Sequence, residues 1–105
     1  MKYRVYQISH STNKRTLVAE LKDTAALINY AGELCETGHT SMDEAYDVYP
    51  HSEKLRAIYF ILGDCTDRFY DAEITTSRGI YWRRTTRSEK IKFKDAKTGK
   101  ISFVE

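Results

Sequence analysis

The 105-residue chain is poor in the residue types that staple, break or loosen a fold: two cysteines, one proline and five glycines. Cys35 and Cys65 provide no disulfide framework, so stability must come from a buried core, which a chain of this length can build. The glycines are scattered, which excludes a glycine-rich phosphate loop. The longest apolar run, AIYFIL at 57–62, is far too short to span a bilayer. The N-terminal MKYRVYQ is charged from its second residue and has no apolar core of a signal peptide. These absences lead to the expectation of one cytoplasmic domain with free thiols and no membrane association.

What is present is a strong partition of charge beneath a formal net charge of +2. The balance is +4 over residues 1–22, −8 over 23–77 and +7 over 78–100, with Glu105 the last acid. Such asymmetry concerns partners more than fold.

Local patterns point to an α+β domain: a largely antiparallel sheet, one main helix, a short second helix and a C-terminal β-hairpin. KYRVYQIS (2–9) and TLVAEL (16–21), rich in β-branched and aromatic residues, flank the polar HSTNKR and read as a hairpin. Asp23 is placed to cap a helix over 24–36, where Leu27, Ile28, Ala31, Leu34 and Cys35 recur at helical spacing and Gly38 follows. Ser41 with Glu44 fits a capping box for a short helix that ends before Pro50. AIYFIL fits a helical stripe or a buried strand, and its β-branched and aromatic content favours the strand. RFYDAEITT (68–76) and IYWRRT (80–85) read as further strands. In IKFK (91–94) and ISFV (101–104), Ile91, Phe93, Ile101 and Phe103 alternate with Lys92, Lys94, Lys100 and Ser102, a hairpin with one buried face.

Several chemistries are permitted by residue type and refused by context. Cys35, His39, His51 and Cys65 are zinc-type ligands, but they lack the close pairs of structural sites, and no metal or other cofactor is expected. Cys65 lies between Asp64 and Asp67, which disfavour a thiolate, and Cys35 reads as a small core residue. Asp71 and Glu73 share a strand face and could hold a divalent ion, yet acids are what a solvated turn and its following strand carry anyway. A ribonuclease of the histidine/arginine type would need His10 beside Arg83, Arg84 or Arg87, and nothing in the sequence brings them together. No catalytic residue is assigned.

The basic C-terminal third carries the leading expectation, a small non-catalytic protein that contacts nucleic acid or a nucleic-acid-bearing protein complex. With Ile80 and Trp82 inward, Tyr81 and Arg83 would face out, joined by Lys92, Lys94, Lys97 and Lys100: one tyrosine ringed by five cations. Arg84 and Arg87 extend the set, and arginine suits bidentate phosphate recognition. Edge strands also use lysine against aggregation, so the lysines alone prove little. The alternative is an inhibitor or adaptor of the kind made by phages and mobile elements. It would bind a basic protein through the acidic centre: Glu33, Glu36, Asp43, Glu44, Tyr46, Asp47 and Tyr49.

Overall fold

The computed structural model describes residues 1–37, 42–64, 70–83 and 90–104. The described residues form one α+β domain of six strands and three helices. Strands β1 (Tyr3–Ser9) and β2 (Arg15–Leu21) form the expected N-terminal hairpin. Its turn closes through Ser9 N–H to the Lys14 carbonyl at 3.0 Å, and Asn13, with φ 56°, takes the left-handed conformation that asparagine tolerates. Val18 is an extra residue in β2, because the register shifts between the pairs Val5–Ala19 and Tyr6–Leu17.

Helix α1 (Thr24–Thr37) begins where the sequence indicates, with the Asp23 carboxylate accepting the Ala26 N–H at 2.8 Å. Cys35 is exposed on it, not a core residue as the helical spacing suggested. The short helix α2 (Met42–Val48) ends ahead of Pro50.

The segment expected as a buried strand is the central helix of the domain, α3 (Glu53–Asp64), capped by the Ser52 hydroxyl, which accepts the Leu55 N–H at 3.2 Å. Every residue from Ala57 to Leu62 is buried, because α1 and α2 cover one side of α3 and the sheet covers the other. A helix enclosed all round is apolar all round, so its helical stripe competes with a continuous apolar run that also suits a buried strand.

Strands β3 (Tyr70–Thr75), β4 (Gly79–Trp82), β5 (Lys92–Asp95) and β6 (Ile101–Phe103) complete an antiparallel sheet in the order β2-β1-β3-β4-β5-β6. All three helices lie in the connection from β2 to β3 and pack on one face, where Tyr3, Val5, Ala72 and Ile74 join the core. No helix among the described residues is long and apolar enough to cross a membrane.

Two features anchor the C-terminal strands to this layer. Gly79 lies beneath the Phe93 ring, and a Cβ there would overlap the Lys94 carbonyl oxygen, so only glycine allows β4 and β5 to pair so closely. The buried Tyr49 hydroxyl, just beyond α2, accepts the Ile91 N–H and donates to the Val104 carbonyl, both at 3.0 Å. Tyr49→Phe therefore leaves a buried amide unpaired and should destabilise the domain by about 1–3 kcal/mol in denaturant melts. Burial raises the Tyr49 pKa above 10.0, so the folded state holds this proton more firmly than the unfolded chain. The contribution is intact below the unfolded value and declines as pH rises through the folded one, so the stability difference between wild type and Tyr49→Phe should shrink in alkali.

Candidate nucleic-acid interface

None of the described helices covers the opposite sheet face, and strand register arranges its side chains in two rows running across all six strands. One row reads Leu17, Tyr6, Glu73, Trp82, Lys92, Phe103 from β2 to β6. The next reads Glu20, Arg4, Thr75, Ile80, Lys94, Ile101.

The two halves of these rows differ electrostatically. On β2, β1 and β3 the cations are matched by acids. Lys2 Nζ lies 2.6 Å from Glu20, whose carboxyl is held below the usual range chiefly by that hydrogen-bonded partner, and Arg4 approaches the same carboxylate at 3.6 Å. Arg15 lies 3.6 Å from the Tyr6 ring centroid, pairs with Glu73 at 2.5 Å and donates to the Thr75 hydroxyl at 2.9 Å. It straps three strands together. His10 sits against Asp71 at 3.1 Å. A shallow cleft lined by Lys2, Arg4, Thr75, Thr76 and Ser77 opens at this side, but both of its cations already face Glu20.

On β4, β5 and β6 the pattern changes. Lys92 lies between Trp82 and Phe103, and Lys94 between Ile80 and Ile101. Neither lysine forms an ion pair among the described residues; Lys92 Nζ instead lies 5.8 Å from the Phe103 ring centroid. Phe103 is 60% exposed and Ile101 57% exposed. Lys97 and Lys100 extend the positive charge along the β5–β6 loop, and Arg78 is adjacent, its carbonyl accepting the Ala96 N–H at 2.9 Å.

Several expected positions are corrected by this geometry. Tyr81 faces the helices, not solvent, and its ring meets Phe93 at 4.7 Å; Ile80 and Trp82 occupy the open face instead. β4 is apolar at every side-chain-bearing position, so it has no alternation of its own, and its pairing with β3 sets the faces. Lys92 and Lys94 do point outward, and Phe93 inward. Ile101 and Phe103 share the lysine face because the loop between the paired Asp95 and Lys100 contains four residues, an even number that sets odd positions of β5 opposite even positions of β6. That loop is built by the Asp95 carboxylate, which accepts the Lys97 and Thr98 N–H groups; these bonds hold its pKa below the usual value.

Arg83 is not a surface cation. It is 4% exposed on the helix side, stacked 3.8 Å from the Tyr59 ring centroid, and burial lowers its pKa. Its Nε and Nη1 have no hydrogen-bond partner, and neither has Glu44 Oε2, a buried oxygen whose charge acts on Arg83. Of the acidic set, Tyr49 belongs to the core and Glu44 is partly buried, whereas Glu33, Asp43 and Asp47 are exposed and Tyr46 lies under Arg56 at 4.5 Å. Arg84, Arg87, His39, Cys65 and the side chain of Glu36 lie outside the described residues. Among those described, no group of histidine, cysteine and acidic side chains is arranged to hold a metal. Asp71 and Glu73 do share the open face, but face His10 and Arg15. His10 and Arg83 lie on opposite sides of the sheet and form no common site.

Comparison with protein-family models, curated proteins and solved structures gives no match. The interface is defined by its own geometry. Because Arg83 is packed under the helices, Arg83→Ala should cost on the order of 2 kcal/mol or more in thermal or denaturant melts, against about 0.5 or less for Lys94→Ala. Equal, small effects would place Arg83 at the surface after all.

Proposed function

We propose that the protein is a non-catalytic binding protein that contacts nucleic acid, alone or within a protein complex, through the open face of β4, β5 and β6. The observation that carries this reading is the pair Lys92 and Lys94, without acidic partners among the described residues and each set between exposed or partly exposed apolar side chains. The other half of the same face has its cations matched by Glu20 and Glu73. Unpaired lysines neutralise phosphates, and neighbouring aromatic and aliphatic groups give bases and sugars an apolar surface. The engagement of Asp71 and Glu73 by His10 and Arg15 supports a binding role over metal-assisted hydrolysis. A reducing cytoplasm suits the exposed free thiol of Cys35.

A second reading retains the acidic side of α2, where Tyr46 is 51% exposed between the exposed Asp43 and Asp47. An inhibitor or adaptor would present that segment to a basic protein. It has fewer supports than the sequence implied, since Tyr49 and Glu44 are turned into the domain.

Salt titration separates the two. If the β4–β6 face binds phosphates, affinity for a short oligonucleotide should fall linearly in a double-logarithmic salt plot, and Lys92→Ala and Lys94→Ala should each reduce the slope by about 1. Reversal of Asp43 and Asp47 to lysine should leave that affinity intact or raise it. Absence of binding at low salt would contradict the nucleic-acid reading.

A further inference from the structure

Resting on that reading, the arrangement of side chains on this half-face also specifies the form of the nucleic acid. We infer that the ligand is a single strand, RNA or DNA, whose unstacked bases lie on Trp82 and Phe103 while its phosphates meet Lys92 and Lys94. A duplex turns its charged backbone outward and offers only base edges, inside grooves that admit a helix or a two-stranded ribbon. The broad face of a six-stranded sheet enters neither groove unless the duplex is opened and bent. Against a duplex, Phe103 and Ile101 would be set on phosphates and gain nothing from being covered. A single strand offers what these side chains lack, since every base has a flat π-face.

The spacing agrees with this. Trp82 and Phe103 occupy the same row on β4 and β6, with Lys92 on the strand between, so their backbones are two strand spacings, about 9–10 Å, apart. A strand crossing the sheet along this row sets a base at each aromatic and passes its backbone over Lys92. The neighbouring row repeats the layout with Lys94 between Ile80 and Ile101, which meet sugars and carry the path toward Lys97 and Lys100.

Trp82 is the sole tryptophan of the chain, so its fluorescence reports on this face directly. The intact protein is titrated with oligo(U) and oligo(dT) of roughly twelve nucleotides and with a duplex of equal length, with anisotropy of the labelled strand measured in parallel. The expected result is quenching of Trp82 by the single strands and affinity at least about tenfold above that for the duplex. Phe103→Ala, at a position 60% exposed where the melting temperature should change little, should weaken single-strand binding about 5- to 100-fold and leave duplex binding as it was. Equal affinity for duplex and single strand, or single-strand binding that neither quenches Trp82 nor responds to Phe103→Ala, would overturn the single-strand assignment while leaving the nucleic-acid reading in place. No binding of any of the three probes at low salt would remove both.

Discussion

The enclosure of α3 is the constraint on which the domain depends. Ile58, Tyr59, Phe60, Ile61 and Leu62 are each 1% exposed or less, and a large apolar side chain fully withdrawn from water contributes about 1.5–3 kcal/mol. No single neighbour could cover a helix of that kind. It requires a sheet on one side and further helices on the other, and α1 and α2 supply the second cover. Since the whole helical layer sits in one connection, between β2 and β3, it occupies one face of the sheet. The opposite face therefore has no helix over it among the described residues.

How that open face is finished differs from one end of the sheet to the other. Around β1 it is closed by its own side chains: Arg15 covers Tyr6 and joins Glu73 and Thr75, while Glu20 gathers Lys2 and Arg4. Around β5, among the described residues, no acid pairs with Lys92 or Lys94, Asp95 being turned to its own loop amides, and lysines alternate with apolar groups along and across the strands. Surface ion pairs contribute little to stability, so the contrast has little bearing on folding, and the proposed binding role draws on it. Arg83, just past the end of β4, is withdrawn to the Tyr59 ring and adds no charge to the open face.

The features legible in the sequence were those with local causes. Alternation with a polar turn marked β1 and β2, and Asp23 with its spaced apolar residues marked α1. Lys92 and Lys94 were placed outward because a slip of register would bury their charges. The features that were missed depend on neighbours. The stripe of α3 is present but lies inside an unbroken apolar run whose β-branched and aromatic content favours a strand, although Ser52 followed by Glu53 is a capping signal that points to a helix. The inward turn of Tyr81 follows from pairing with β3, and the outward turn of Phe103 from the even length of a loop. Half of the candidate site, the aromatic half, was therefore invisible until the register was known.

Amide chemical-shift mapping shows whether the β4–β6 half of the sheet face is where an oligonucleotide binds. With isotope-labelled protein and a short oligonucleotide at low salt, perturbations should gather at Ile80, Trp82, Lys92, Lys94, Ile101 and Phe103, including the Trp82 indole N–H. Tyr6, Arg15 and Glu20 on the closed half should remain unchanged. Perturbations centred on Asp43, Tyr46 and Asp47, or spread evenly over both halves of the sheet, would contradict the account.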